Sequence, residues 1–334
     1  MGHWRVQRKE LLQVQIVTGL ALAVTYFLLW PMLRPADPDG PLALLAEGNA
    51  PGILAILLVM AVLAAITSAV TVHSRPVGSI VAALLGTGGL CMHSPPLKAL
   101  LWAREGEFGG LFMGFIFELL ALSVGVIVVC LVVGLVRQGI AGINPRWVWR
   151  DPLMSDEAAA ATSSDSRKSH FAFTNPFAAL LEMIGQRGSP HYGKKRSALD
   201  EAKALAGCLF ISAVLAVVLY MILVQSRERG QVLFALLASF TVAVLVAHQA
   251  SPTSLAGPLL AMPVVLGVVI YLLGMFASAG PVEAHNAWLR VPPYAHALPL
   301  DWITAGVGGA GLGFWISSRI HELRHMEKRE QQAA

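Results

Sequence analysis

Residues 109–136, GGLFMGFIFELLALSVGVIVVCLVVGLV, contain one charged side chain, Glu118, in a run of otherwise apolar and small residues. An α-helix rises about 1.5 Å per residue and the hydrocarbon core of a bilayer is about 30 Å thick, so a spanning helix needs about 20 apolar residues. This run exceeds that length. It therefore predicts a membrane-spanning α-helix.

The rest of the chain has the same character. Of 334 residues, 56% are hydrophobic and 13% are charged, whereas a soluble domain has about 25% charged residues. This composition excludes a soluble enzyme, and three cysteines are too few for a disulfide framework. Seven further segments predict spans: residues 11–30, 52–72, 77–92, 204–224, 231–247, 257–278 and 302–318. The predicted fold is an all-α polytopic transmembrane helical bundle of about eight spans.

Basic residues are distributed unevenly between the two sides of this bundle. Of the 24 Lys and Arg residues, 18 fall on the side of the termini and six on the other side. Cytoplasmic connections carry the excess of basic residues. We therefore expect a multi-pass protein of the cell inner (plasma) membrane with both termini in the cytoplasm. No basic cluster interleaved with aromatic residues predicts a nucleic-acid partner.

One long basic connection organises the chain. Residues 137–203 separate a first four-span half, residues 1–136, from a second half, residues 204–318, and a charged tail follows over residues 319–334. Within the connection, residues 171–184 are aromatic and apolar enough to form an interfacial helix on the membrane surface. Besides the lipid bilayer, the expected partners are membrane proteins that bind this cytoplasmic connection or the tail.

The two halves share features in the same order. His73 and His248 each end the second span of their half, and a proline follows each within four residues. Residues 102–104 (Trp-Ala-Arg) precede the fourth span and residues 288–290 (Trp-Leu-Arg) precede the eighth. These matches predict two parallel repeats related by an axis along the membrane normal. The alternative is that apolar helices resemble one another by composition.

Glu118 is the only acidic residue placed deep in a long apolar segment. A charge at the centre of a spanning helix costs about 2.5–3.5 kcal/mol on insertion scales, so such a carboxyl faces a partner or a wet cavity, or is protonated. The functional interpretation is a proton or cation site, or a polar contact for a headgroup. The structural alternative is a neutral Glu hydrogen-bonded to a neighbouring helix, or one that lies at shallower depth.

Glycines and prolines interrupt corresponding spans of the two halves. The third span contains Gly86, Gly88 and Gly89, and the seventh contains Pro258 and Pro263. Interrupted helices expose backbone groups that can bind a substrate or ion, and equivalent interruptions are a pointer to a transporter binding site. Kinking or close packing of helices explains the same residues without a site.

His73 and His248 would lie at matching depth if the halves are repeats. Two imidazoles in such positions could line an ion exit or ligate a haem iron. A lone histidine at a helix end is also common without any function, so no cofactor is expected.

The tail contains a His-Glu-x-x-His pattern formed by His321, Glu322 and His325. On a helix the two imidazoles lie one turn apart, and the pattern resembles that of zinc metallopeptidases over five residues. No segment follows that supplies the usual third ligand, and His170 or His191 of the long connection would have to do so. We therefore expect no metal site here and a charged juxtamembrane helix instead.

Together these features favour transport or flipping of a small or lipid-linked solute, through a polar site between the two halves. A non-catalytic membrane subunit or scaffold of a larger complex is the alternative, and a zinc metallopeptidase is the third possibility. An enzyme is the less favoured class. Transport requires buried polarity that faces a cavity, whereas a scaffold requires only an apolar interface.

Overall fold

The computed structural model describes residues 2–33, 42–45, 48–94, 97–103, 108–144, 147–148, 198–253, 255–278 and 287–333. Six of its helices are long and apolar enough to cross a membrane: Glu10–Leu33, Ala50–Val70, Phe108–Ile143, Leu199–Leu223, Arg229–Ala250 and Gly257–Ala277. The prediction of an all-helical membrane protein is confirmed at this level. The predicted interfacial helix, residues 171–184, lies outside the described residues.

The main helices are numbered α1 to α8 in chain order. Their bounds are Gly2–Val24 with a π-helical turn Thr25–Leu29 and Trp30–Leu33 (α1), Ala50–Val70 (α2), Pro76–Thr87 with Gly89–Met92 (α3), Phe108–Ile143 (α4), Ala198–Leu223 (α5), Arg229–Ala250 (α6), Gly257–Ala277 (α7), and Pro299–Asp301 with a π-helical segment Trp302–Val307 and Gly308–Ala333 (α8). Short helices in the connections are Lys98–Ala103, Ala287–Arg290 and Pro293–His296.

Helices α3 and α8 form the centre of the bundle. Almost every residue over 77–87 and 299–318 is buried. The two helices pack against each other, α1 and α2 pack on α3, and α6 and α7 pack on α8. Helix α4 joins the halves through its contact with α7, and α5 packs on α6. Because α3 and α8 are covered by protein, they need no long lipid-facing surface.

The outer helices expose large apolar side chains. Examples from different helices are Leu20, Leu54, Phe117, Phe210, Phe234 and Val265. A continuous apolar exterior of this kind is a liability in water and is the surface expected in contact with lipid.

The bundle has two ends, which we name by the chain termini. The terminal face is the end where Glu10 of α1 meets Arg319 of α8. The opposite face is the end where α6 and α8 begin, near Arg229 and Asp301.

Helix packing contradicts the predicted parallel repeat. Helix α1 packs mainly on α3, whereas its supposed counterpart α5 packs mainly on α6 and little on α7. In addition, His73 is exposed in a turn while His248 is buried. The short helices that contain the two tryptophans do pack against each other. The shared residues are therefore explained by similar helix ends rather than by superposable halves.

The connection between α7 and α8 is held by buried polar contacts. His296 is 2% exposed and donates from Nε2 to the backbone oxygen of Val291 at 3.3 Å. Arg227 donates to the backbone oxygens of Leu289 at 2.9 Å and Val291 at 3.4 Å. Burial, and then the nearby Arg227 charge, lower the pKa of His296 from 6.5 to about 4. The imidazole is therefore neutral in the folded protein at pH 7.

Acid should weaken this connection. Between pH 6.5 and about 4 the unfolded His296 binds a proton and the folded one does not, so the free energy of unfolding falls as the pH falls, by at most about 3 kcal/mol. Thermal unfolding in detergent across this pH range measures the effect. His296→Gln should lose this part of the pH dependence; an unchanged profile in that variant would assign the dependence to other groups.

Candidate functional site

An ion pair between a partly exposed arginine and a buried aspartate lies where the two halves meet at the opposite face. Arg229 begins α6 and Asp301 lies in the first turn of α8, and the guanidinium binds both carboxylate oxygens. Asp301 is fully buried. Arg229 also donates from Nε to the backbone oxygen of Cys91, at the end of α3, at 3.2 Å. This opposite-face pair therefore connects α6 and α8 of the second half to α3 of the first.

Aromatic and hydroxyl groups enclose the opposite-face pair. The rings of Tyr220 and Tyr271 pack edge-on against Trp302, with centroids 5.7 and 6.5 Å away. Tyr271 donates its hydroxyl to the backbone oxygen of Ala297 at 2.7 Å. The thiol of Cys91 lies 3.4 Å from Thr304 Oγ1. The carboxylate is thus buried among aromatic and hydroxyl groups, where electrostatic interactions are stronger than in water.

Sequence reasoning missed this pair and found no second carboxylate at the depth of Glu118. Asp301 is nevertheless as fully buried as Glu118. The eighth span was predicted to begin at residue 302, which left Asp301 in a solvated connection. The sequence did offer one local signal, because an acidic residue is common in the first turn of a helix. In the structure Asp301 Oδ2 accepts from the backbone N–H of Leu298 at 2.6 Å, as such a residue does.

Glu118 faces the protein interior rather than lipid. It is fully buried, while its neighbour Phe117 is exposed. Its Oε2 accepts from the backbone N–H of Leu45 at 3.0 Å. Residues 42–44 of that connection are themselves buried between the helices. Glu118 therefore fixes an inward-folded connection at the opposite face.

The depth of Glu118 follows from the register of α4. A Cβ atom at Gly125 would touch Met60, the middle residue of α2, so Gly125 lies near the centre of the bundle. Glu118 lies seven residues before Gly125 in α4, which places it about 10 Å closer to the opposite face. Glu118 therefore lies between the centre of the bundle and its opposite face.

Two substitutions separate the roles of Glu118. Glu118→Gln keeps an acceptor for the Leu45 N–H and should leave the unfolding temperature nearly unchanged, but it should abolish any proton- or cation-coupled activity. Glu118→Leu leaves the Leu45 N–H without this acceptor and should cost about 1–3 kcal/mol of stability. Thermal unfolding of both purified variants checks this difference. Equal losses for Gln and Leu would show that the hydrogen bond to Leu45 is not what Glu118 contributes.

Neither of the two predicted interruptions opens its helix. Helix α7 continues from Gly257 to Ala277 through Pro263, and Pro258 lies in its first turn. The expected open backbone in the seventh span was therefore wrong. Helix α3 also continues through Gly88, whose backbone is right-handed helical and whose N–H donates to the backbone oxygens of Leu84 at 3.3 Å and Leu85 at 3.0 Å.

The glycines of α3 allow close approach to α1. Thr25 donates its hydroxyl to the backbone oxygen of Gly86 at 2.6 Å. A Cβ at Gly89 would collide with the Thr25 hydroxyl and lie 2.5 Å from the backbone oxygen of Leu22. A Cβ at Gly86 would lie 2.6 Å from that of Ala21. Close packing against α1 therefore explains why residues 86 and 89 are glycines.

Gly89→Ala should therefore disturb the α1–α3 contact. The added methyl group would meet the Thr25 hydroxyl and the Leu22 backbone oxygen, and both belong to α1. Because neither can turn away, the two helices must move apart, which should lower the free energy of unfolding by about 1–3 kcal/mol. Gly114→Ala on α4 is the matched control, because a Cβ there meets nothing within 4 Å. Thermal unfolding in detergent should show a clear loss for the first variant and none for the second; equal behaviour would contradict the close packing.

Two π-helical segments flank the end of α3. They are Thr25–Leu29 in α1 and Trp302–Val307 in α8. Such segments are rare and occur frequently at functional sites, because they place an extra residue in a turn. Thr25 and Thr304 lie in them and contact Gly86 and Cys91 of α3. The sequence carried no signal for either segment.

A second charged cluster joins the halves at the terminal face. Glu10 of α1 and Arg75, which precedes α3, belong to the first half, while Arg319 and Glu322 lie on α8. Arg75 pairs with Glu322, and Arg319 pairs with both Glu10 and Glu322. The backbone N–H of Arg75 donates to Glu10 at 3.1 Å. These four residues form the terminal-face cluster, in which two positive and two negative charges balance.

The terminal-face cluster accounts for the His-Glu-x-x-His pattern. Glu322 is 1% exposed and binds two guanidinium groups, so it is not placed to activate a metal-bound water. His321 contacts the backbone oxygen of His248 at 3.4 Å. The described residues contain no group of three His, Cys, Asp or Glu side chains suited to a metal ion. The side chain of His325, and both His170 and His191, lie outside the description.

His73 and His248 do not form a site together. His248 uses both ring nitrogens, with Nε2 2.9 Å from the backbone oxygen of Thr253 and Nδ1 2.7 Å from Ser317 Oγ. Because a backbone oxygen only accepts, Nε2 carries the hydrogen and Nδ1 accepts from the Ser317 hydroxyl in the neutral ring. His73 lies exposed in the turn between α2 and α3. Paired haem ligation by these residues does not fit this geometry.

Comparison with known proteins finds no family model, no curated protein and no solved structure that matches the chain. Charged residues join the two halves at both faces, through Arg229 and Cys91 at the opposite face and through the terminal-face cluster at the other.

Proposed function

We propose that this is an eight-span plasma-membrane protein that moves a small or lipid-linked solute by rearranging its two halves about α3 and α8. Helices α3 and α8 are the third and eighth spans, and the terminal face is cytoplasmic, as the bias of basic residues favours. The opposite face is then external.

One observation carries the proposal: buried charged groups bridge the two halves at both faces. The opposite-face pair reaches Cys91 of α3, and the terminal-face cluster joins α1 and α3 to α8. Buried ionic groups in membrane segments are costly and are associated with solute or ion pathways. Their placement at two depths on one junction suits a protein that opens one face at a time.

The proposed cycle uses these contacts as alternate closures. When the contact of Arg229 with Cys91 is intact and the terminal-face cluster separates, the junction opens to the cytoplasm. When the terminal-face cluster is intact and the contact of Arg229 with Cys91 separates, the junction opens to the exterior. Alternating access in transporters occurs by such movement of one helix group against another. The π-helical segments beside α3 provide positions where α1 and α8 can change register.

In the scaffold alternative, the same contacts are permanent fasteners. The protein would then dock partners through residues 137–203 and the tail without opening at either face. The accessibility of Cys91 distinguishes the two functions, because its thiol is 1% exposed and lies beside the opposite-face pair.

The test measures the reaction of Cys91 with a charged, membrane-impermeant methanethiosulfonate added from outside. The parent protein carries Cys130→Ala and Cys208→Ala, so that Cys91 is its single thiol. We expect slow but complete labelling of the parent, and labelling about tenfold faster in Asp301→Asn, since about 1.4 kcal/mol shifts an equilibrium tenfold. Leu289→Cys in a Cys91→Ala background serves as the exposed external control. Unlabelled Cys91 in both proteins, with the control labelled, would favour the scaffold.

A further inference from the structure

Arg137 carries a buried positive charge near the terminal end of α4. The residue is 6% exposed. Its Nη2 donates to the backbone oxygen of Thr71 at 2.9 Å and to Ser79 Oγ at 3.0 Å. Thr71 follows α2 and Ser79 lies in α3. The guanidinium therefore fills the crevice where α2, α3 and α4 meet.

Neutral oxygens are the only acceptors of Arg137 within the residues that the structure describes. Its Nε is buried without a hydrogen-bond partner there, and its more accessible Nη1 donates to none of the described residues. In contrast, Arg75, Arg229 and Arg319 each pair with a carboxylate. A buried cation without a counter-ion is strongly unfavourable, and the planar guanidinium retains donors for an anion. Arg137 thus offers an unfilled anion contact.

The position of Arg137 along α4 indicates which anion is available. Gly125 marks the centre of the bundle through its approach to Met60. Arg137 lies 12 residues further along the helix, which is about 18 Å. Half of the hydrocarbon core is about 15 Å thick, and the headgroup region lies immediately beyond it. The guanidinium is therefore at the depth of lipid phosphates.

We propose that Arg137 binds the phosphate of a phospholipid headgroup in the leaflet at the terminal face. A phosphate oxygen would accept from Nη1, which donates no hydrogen bond within the described residues and, unlike Nε, is not closed off from the surface. Thr71 and Ser79 orient the guanidinium from its other side. Basic pockets between spans bind phospholipid headgroups in the same manner. The inference does not depend on whether the protein transports a solute.

Lipid binding by the full-length protein tests this site. Protein purified in detergent and stripped of lipid is titrated with phosphatidylglycerol, and retained lipid is counted by native mass spectrometry. We expect one tightly held phospholipid in the wild type and binding weakened about tenfold or more in Arg137→Gln, the effect of losing charge-assisted hydrogen bonds. Arg324→Gln, which removes an exposed arginine at the same face, should bind like the wild type.

Further arms identify the source of the phosphate and guard against misfolding. Arg137→Lys keeps the charge and should fold, yet it should bind the lipid more weakly, because an ammonium group lacks the planar geometry that lets the guanidinium bind Thr71 and Ser79 and still present a donor to the phosphate. A phosphate-free galactolipid should not occupy the site. Stabilisation by inorganic phosphate alone, dependent on Arg137, would overturn the lipid source in favour of free phosphate. Wild-type affinity for phosphatidylglycerol in Arg137→Gln and Arg137→Lys would overturn the proposal.

Discussion

Replacing Glu322 by alanine is expected to lower the free energy of unfolding by about 3–5 kcal/mol, the usual effect of removing one partner from a buried ionic contact. The carboxylate is 1% exposed and binds the guanidinium groups of Arg75 and Arg319. Its loss leaves the buried Arg75 and the partly exposed Arg319 with Glu10 as the remaining carboxylate of the terminal-face cluster. Thermal or denaturant unfolding in detergent measures the change.

The matched control for this prediction lies on the same helix. Glu327 is exposed one turn beyond Glu322, and Glu327→Ala should alter stability by less than about 0.5 kcal/mol. His321→Ala addresses the peptidase alternative, since it should neither remove zinc nor abolish function. Unchanged stability in Glu322→Ala, together with one zinc per chain that vanishes in His321→Ala, would replace the ionic role of Glu322 with a metal role.

Replacing Asp301 by alanine should have an effect of similar size at the opposite face. The change leaves Arg229 buried without its carboxylate and removes the acceptor of the Leu298 N–H, which together should cost about 3–5 kcal/mol. Unfolding of the purified variant measures the loss. The origin of the loss is tested with a double substitution.

The double variant Arg229→Met with Asp301→Leu removes both charges and keeps apolar volume. Replacing a buried ion pair by apolar residues is often neutral, so this variant should recover most of the stability lost in Asp301→Ala. A double-mutant cycle gives the coupling between the two residues. If the stability loss of the double variant equals the sum of the losses of the two single variants, a direct ionic contact between Arg229 and Asp301 is contradicted.

The membrane-spanning helices were predictable because lipid imposes a local rule. A segment such as residues 109–136 must be apolar along its whole length, and that property is visible without tertiary structure. Helices α3 and α8 were less distinct, since each is shielded from lipid by other helices. The burial of Glu118 was also predictable, because a carboxyl in that helix cannot face hydrocarbon at low cost.

The charged contacts between the halves were not predictable in the same way. Arg75 and Glu322 are separated by 247 residues, and their meeting depends on how α3 and α8 pack. Both residues occur near helix ends, where charged side chains are ordinary. The repeat prediction was wrong for a related reason: similar residues at helix ends do not determine which helices pack together, as the different partners of α1 and α5 show.

The rate of external Cys91 labelling in Glu10→Gln is the measurement that tests alternating access most directly. This substitution weakens the terminal-face cluster, far from Cys91. If the two closures alternate, the population shifts toward the state open to the cytoplasm, and external labelling of the single-thiol parent should slow about tenfold. General loosening of the fold would speed labelling instead. An unchanged or faster rate in Glu10→Gln would contradict the proposed coupling between the two faces.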